Sequence, residues 1–172
     1  MVWRNDPLTL YHGTVEPHAI DIEHNGPDLT KCRVRRDFGR AFYATRRLAQ
    51  AQDFANSRYR KMLHNFRHNP PIHADPICAA VVEYVIDRNT LGRLDTLAFV
   101  LPEPEWVDFV KNCRLGTFDH KGPGLYYDVV YGPVSTIANE TGAHFEQLSF
   151  HSDAAIRNLQ FVQVRRGRPW FS

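Results

Sequence analysis

The chain has 172 residues, with 21 Lys and Arg against 19 Asp and Glu, a formal charge of +2 and 43% hydrophobic residues. That length supports one domain, residues 1–172, and is short for two, while the near-neutral balance gives no electrostatic case for obligate nucleic-acid or membrane binding. The charge is uneven: basic from Lys31 to Arg47 and around Arg165, Arg166 and Arg168, acidic from Glu103 to Asp108.

Cys32, Cys78 and Cys113 are odd in number, far apart and without C-x-x-C spacing, which points to a reducing compartment. No apolar run reaches the length of a membrane span, and the first residues carry neither the n-region nor the h-region of a signal peptide. The expectation is a cytoplasmic protein without membrane association, with export by a signal-less route left open.

Leu8 to Thr14 alternates and breaks at Gly13, which reads as a strand ending in a turn and delivering His12 to its end. Val15 to Lys31 mixes Pro, Asn-Gly-Pro and short apolar pairs, so it reads as loop or short helix. Arg36 to Thr45, Arg-Asp-Phe-Gly-Arg-Ala-Phe-Tyr-Ala-Thr, packs two arginines, an acid, a glycine and three aromatics ahead of a long amphipathic segment. From Arg46 to about Asn65 the residues Leu48, Ala51, Phe54, Ala55, Tyr59 and Met62 recur at helical spacing, with Thr45 placed as an N-cap. His64 to Pro76 reads as loop. Ile77 to Ile86 is β-branched and partly alternating, hence a strand.

Pro104 to Arg114 predicts a short helix with Trp106, Phe109 and Val110 on one face. Tyr126 to Tyr131 reads as a strand stopped by Gly132-Pro133, and Val134 to Glu140 as one or two helical turns. Phe145 to Phe150 alternates as a strand. Ser152 caps a short helix through Leu159, and Phe161 to Val164 gives a last strand. Strands and helices do not alternate as βαβα, so the fold class is α+β with split, mostly antiparallel β-sheets and flanking helices.

Tyr11-His12-Gly13-Thr14, Phe42-Tyr43-Ala44-Thr45 and Glu146-Gln147-Leu148-Ser149-Phe150-His151 occur in this order. They resemble the three signature motifs of the ADP-ribosyltransferase superfamily, in the His-Tyr-Glu branch that includes diphtheria-toxin-like and poly(ADP-ribose) polymerase-like enzymes. With Asp37-Phe38-Gly39, Glu105 to Val110 and Tyr126 to Val134, the chain resembles a bacterial family of uncharacterised domains in that superfamily from Leu10 to about Val162.

The resemblance implies an NAD-dependent mono-ADP-ribosyltransferase, toxin-like in type, that expels nicotinamide and passes ADP-ribose to a protein or nucleic-acid acceptor. A hydrolytic variant would be an NAD glycohydrolase. The alternative is a non-catalytic domain of the same fold that binds NAD, ADP-ribose or a partner. In the transferase reading NAD is the co-substrate and no metal is required. His12 would bond a hydroxyl of the adenosine ribose, Gly13, next to Thr14 of the same cofactor-binding set, would bring backbone to the nicotinamide carboxamide, and Tyr43 would stack on the nicotinamide ring with Phe54 against its other face. Arg36, Phe38 and Gly39 complete the cofactor-binding set, Arg36 being one of four arginines, with Arg33, Arg35 and Arg40, suited to the pyrophosphate.

Gln147 falls where the branch commonly carries Glu, whose carboxylate binds the nicotinamide-ribose hydroxyl and favours a cationic transition state. An amide keeps the hydrogen bond and loses the charge, a loss worth about 2.7–4 kcal/mol at well-studied sites. Gln147→Glu is therefore expected to raise NAD cleavage. Asp128 and Asp37 are candidates for a supporting carboxylate, Asp128 equally a structural partner for a nearby loop. Ser149 and His151 flank Phe150 without an acid to orient them, so no nucleophilic dyad is read there. His64, His68 and His73 lack an acid or Cys at ligand spacing. Ala41 in place of an expected Gly and the short segment Ser135 to His144 depart from the pattern; Ala41, with Gln147, motivates the non-catalytic alternative, and the short segment bears on acceptor choice.

Overall fold

The computed structural model describes residues 5–68, 77–116, 119–135 and 145–172. The fold is α+β, with helices and two mostly antiparallel sheets. The chain divides into two compact units. One, the β1 unit, holds Thr9–Gly26, Thr45–Val85 and Phe161–Ser172; the other, the β6 unit, holds Met1–Leu8, Pro27–Ala44 and Ile86–Gln160. Each draws on three separate stretches, so neither is contiguous in sequence.

In the β1 unit the sheet runs β1-β3-β7, from Leu8–Val15, Ala79–Ile86 and Gln160–Arg166. Helix α2, Leu48–His68, lays Ala51, Ala55 and Tyr59 against Val15 of β1 and Ala79 and Val81 of β3, with Tyr11, Leu48 and Met62 at the margin. The small residues of α2 allow this close approach. Thr45 stands before the helix, its hydroxyl accepting from the Arg47 N–H at 3.2 Å, and its backbone exchanges hydrogen bonds with Tyr11. α2 continues through His64 to His68 instead of giving way to a loop; His73 lies outside the described residues.

β1 does not end at Gly13. It runs on to Val15 and passes directly into α1, Glu16–Asn25, which has Pro17 in its first turn and stops at Gly26. Ten helical residues thus occupy much of the segment read as loop or short helix. Only Ala19 of α1 is buried, which explains the weak periodic signal. On β3 the buried Glu83 accepts from Arg165 Nε at 2.9 Å and Nη2 at 2.6 Å and from Gln163 at 2.9 Å, so its charge is paired where it leaves water.

In the β6 unit the sheet order is β2-β6-β5-β4, from Phe42–Ala44, Glu146–Phe150, Val129–Pro133 and Thr96–Ala98. The β2-β6 and β5-β6 pairs are antiparallel and the β4-β5 pair is parallel. Helix α4, Pro104–Leu115, covers one face with Trp106 and Val110, packed with Phe38 and Val130. Phe38 is fully buried, a contribution of about 1.5–3 kcal/mol. The short helix α3, Arg88–Leu91, and β4 had no counterpart in the sequence reading, and α5, Asp153–Ile156, is capped by the Ser152 hydroxyl as expected.

Gly132-Pro133 does not stop β5. Both residues pair with β6, Gly132 with Gln147 and Pro133 with Glu146, and Pro133 lies beyond the residues that β4 engages, so its missing N–H leaves no gap in that ladder. Val134 extends the pairing through its N–H to the Phe145 carbonyl at 3.0 Å; the rest of the predicted turn, from 136 onward, lies outside the described residues. A Cβ on Gly132 would stand 2.9 Å from Cζ of Phe38 and 3.3 Å from Cβ of Phe99. Gly132→Ala is expected to cost about 1–3 kcal/mol through overpacking, read as a lowered urea midpoint at unchanged m-value; an unchanged midpoint would show that the Phe38 ring yields freely.

Candidate functional site

The register of β2 on β6 sets Tyr43 opposite Ser149, and β5 sets Gly132 opposite Gln147. Since side chains alternate along a strand, Tyr43, Ser149 and Gln147 share one face of the sheet. Phe38, from the segment before β2, closes over that face, and its ring stacks on Tyr43 at 6.5 Å between centroids and 21° between planes. The Tyr43 hydroxyl accepts from the Phe38 N–H and donates to the Gly39 carbonyl, both at 2.9 Å. Burial, more than any other influence, holds this phenol's pKa well above its usual value, so it is neutral and serves as donor and acceptor only.

Beside Phe38, Asp37 is the hub of a polar cluster. Its Oδ1 accepts from Arg114 Nη2 at 2.7 Å, Arg114 Nε at 3.0 Å and the Ser135 hydroxyl at 2.9 Å. Its Oδ2 accepts from the Ser135 N–H at 3.0 Å and from Gln147 Nε2 at 2.9 Å. Burial by itself would raise the Asp37 pKa; the hydrogen bonds from Ser135 and Gln147 and the Arg114 charge more than offset it and hold the carboxyl below its usual range. Arg114 closes the last turn of α4, where a cation also meets the negative end of the helix dipole.

A second cluster surrounds His151. Its Nδ1 lies 3.0 Å from the Arg40 carbonyl and its Nε2 2.8 Å from the Ser149 hydroxyl. A carbonyl only accepts, so Nδ1 carries the proton of the neutral ring, and the Ser149 hydroxyl, with one proton to give, lies between His151 Nε2 at 2.8 Å and the Val130 carbonyl at 3.1 Å. Burial chiefly, and then neighbouring His120, push the His151 pKa down to about 3. The two imidazoles stand 4.5 Å apart edge to face, and His120 Nε2 donates to the Phe38 carbonyl at 2.9 Å, its own pKa lowered by burial. Ser149 is fully buried, so the pair acts as a clasp between β6 and the Arg36 to Thr45 segment and not as a nucleophile.

The other sequence-predicted residues are placed as follows. Gly39 ends the turn that begins at Arg36, through its N–H to the Arg36 carbonyl at 3.0 Å. Arg36 is half-buried while Arg33, Arg35 and Arg40 are exposed, and none makes an ion pair among the described residues. Asp128 sits at the opposite end of the β5-β6 ladder from Gln147. It accepts from the Ser152 hydroxyl and, at 3.1 Å, from the Asp95 N–H, tying α5 and the start of β4 together. This is the structural role weighed for it.

His12, Gly13, Thr14 and Phe54 belong to the β1 unit. His12 is half-buried on the strand face opposite to that of Gly13. Thr14 is only 1% exposed and Phe38 0%, so their side chains are core, and ligand contact at either position is left to backbone. Phe54 is 51% exposed on α2, with the Arg58 guanidinium 6.0 Å from its ring centre.

Arg114 and Ser135 were not singled out from the sequence, and neither was His120. Arg114 lies 77 residues and Ser135 98 residues from Asp37, and no local pattern announces such a meeting. The cysteines are free thiols, and burial, then Asp37, pushes Cys113 up to about 12. No helix among the described residues is long and apolar enough to cross a membrane.

Together these observations define an α+β protein whose β6 strand presents a half-buried glutamine held by a structural carboxylate. The chain belongs to the family described as "Protein of unknown function (DUF3990)", which it matches over residues 8–145. No curated protein matches it in sequence.

Proposed function

We propose that the protein is an NAD-dependent mono-ADP-ribosyltransferase. The observation that carries this reading is the placement of Tyr43 and Gln147 on one face of the adjacent strands β2 and β6, the two motif residues that the resemblance assigns to the nicotinamide ring and its ribose. His12, in the remaining motif, would serve the adenosine ribose.

The reaction suits the groups present. Cleavage of the bond between C1′ of the ribose and the nicotinamide nitrogen sends the electron pair to that nitrogen, which neutralises the pyridinium, so the leaving group needs no proton. C1′ becomes an oxocarbenium ion, and an acceptor nucleophile bonds to it and loses its proton. What the site must supply is grip on the hydroxyls and the ring, not a general acid. Accordingly the phenol of Tyr43 is held neutral, Asp37 is held ionised, and His151 is held unprotonated.

The test is incubation of the full chain with labelled NAD and cell lysate, reading nicotinamide release and the mass added to acceptors. Transfer is expected, with His12→Ala reducing turnover about a hundredfold or more. Release of free ADP-ribose without an adduct would identify a glycohydrolase. Absence of release, transfer and any NAD-induced thermal shift would refute the reading.

A second reading, NAD or ADP-ribose binding without turnover, draws on one observation. Both candidate supporting carboxylates are engaged within the protein, Asp37 by Arg114, Ser135 and Gln147, and Asp128 by Ser152 and the Asp95 N–H. Tight binding with no nicotinamide release over hours would favour it.

A further inference from the structure

The contacts of Gln147 decide which of its atoms can meet a ligand. Its Nε2 donates to Asp37 Oδ2 at 2.9 Å and to the Pro133 carbonyl at 3.3 Å. Both partners are acceptors and nothing else, since a proline carbonyl cannot donate and the Asp37 carboxylate is surrounded by the donors of Arg114 and Ser135. Rotating the amide by half a turn would set Oε1 against two acceptors. The orientation is therefore dictated by the network, and both N–H bonds are used within it. Oε1 accepts no hydrogen bond among the described residues, and Gln147 is half-buried, not closed off.

We propose that Asp37 is a positioning residue that turns Gln147 so that it offers a ligand a hydrogen-bond acceptor only. Such a group suits a sugar hydroxyl, which can donate, and is unsuited to a carbonyl or a phosphate oxygen. The amide then performs the acceptor half of what a glutamate would do. Assigning that hydroxyl to the nicotinamide ribose rests on the transferase reading; the orientation of the amide does not.

The network also changes the expectation for Gln147→Glu. A second carboxylate would replace an N–H that now lies 2.9 Å from Asp37. Two carboxylates at that separation do not both ionise, so one retains a proton near neutral pH and the charge meant for the transition state is not delivered. Gln147→Glu lowers stability and fails to raise nicotinamide release.

The experiment is a double-mutant cycle on the full chain with Asp37→Asn, Gln147→Glu and the pair, read by thermal melting at pH 7 and pH 5, together with side-chain amide NMR of wild type and Asp37→Asn. In wild type the Gln147 NH2 protons are expected to exchange slowly with water, and in Asp37→Asn their resonances shift and lose that protection. The double variant loses less than the sum of the singles, because the amide introduced at position 37 can donate to the carboxylate introduced at position 147. The Gln147→Glu deficit shrinks at pH 5, because the proton that the folded pair holds costs less to bind as the pH nears the unfolded carboxylate range. Additive losses, a deficit that ignores pH, or unchanged Gln147 resonances in Asp37→Asn would overturn the assignment. If Asp37→Asn does not fold, rapid exchange of the wild-type Gln147 amide or a pH-independent Gln147→Glu deficit does so alone. Nicotinamide release separates the two claims: a wild type that releases none defeats the ribose assignment and leaves the cycle readable, and release alongside an additive cycle defeats the positioning role only.

Discussion

Gly13→Ala will destabilise the protein by about 3 kcal/mol or more, at or beyond the upper end of ordinary overpacking. A Cβ at this position would stand 2.2 Å from the Ala51 carbonyl oxygen and 3.0 Å from the Ala55 nitrogen. Both atoms are backbone of α2, so no side-chain rotation relieves the contact. β1 would have to part from the helix, opening the layer in which Val15, Ala51, Ala55 and Ala79 are buried to within 2% of full enclosure. For a chain of this length such a loss lowers the melting temperature by roughly 6–12 °C. Resemblance to the transferases offers another reason for the glycine, backbone approach to the nicotinamide carboxamide. The two demands separate in the absence of NAD. A packing requirement lowers the melting temperature of the unliganded protein, whereas a ligand requirement alone leaves it unchanged and weakens NAD binding. A melting temperature equal to wild type would therefore remove the packing argument.

The same glycine shows where sequence reasoning reached and where it stopped. A Gly inside an alternating run signals either a break or a close approach, and the choice depends on Ala51 and Ala55, which are remote in sequence and belong to another element. Gly132-Pro133 misled for the same kind of reason: it stops a strand only if the neighbour needs the proline N–H, and β4 ends its pairing at Tyr131. The strands β1, β3, β6 and β7 were legible from their local patterns, and α2 and α4 carry apolar faces matched by clusters of buried side chains. α1 was obscured because its single buried residue leaves almost no amphipathic trace, and the three-residue β4 is exposed at Thr96 and Ala98.

At the candidate site the resemblance names Tyr43 and Gln147 for two parts of one ligand, but that their strands β2 and β6 are neighbours in one sheet is visible only in the structure. So is the role of Asp37. Its meaning lies in an arginine at the end of α4 and a serine after β5, and three-dimensional proximity of that range leaves no periodic signature. A carboxylate in the densest motif of the chain was visible as a candidate; that its task is to orient an amide emerges only from the donors around it.

Acidification from pH 7 to pH 4 will cost about 2 kcal/mol of stability through His151, most of it above the range in which carboxylates titrate. The ring is neutral in the folded state, with a pKa of about 3, against roughly 6.5 in the unfolded chain. Between those values the unfolded state binds the proton that the folded state refuses, so stability falls as the pH drops through this window and is fully present above it. The undiscounted shift to pH 4 would be worth about 3.4 kcal/mol, and the half-buried ring is partly screened by water, hence the smaller figure. The groups facing it do not offset the cost. His120 shifts in the same direction and adds to the loss, the Arg40 carbonyl and Ser149 are neutral, and the Tyr126 ring lies parallel at 6.5 Å. Asp37 acts elsewhere on the scale. Its depressed pKa gives stability that is present above about 3.8 and lost as pH falls through the folded value, so it acts only at the acid end of the histidine window. Urea midpoints across pH 7 to 4 would show the histidine slope, and His151→Gln, which cannot titrate, would flatten it. Equal slopes in wild type and His151→Gln would mean that the imidazole takes up its proton in the folded state, and with it that the clasp between β6 and the Arg40 carbonyl tolerates a charge.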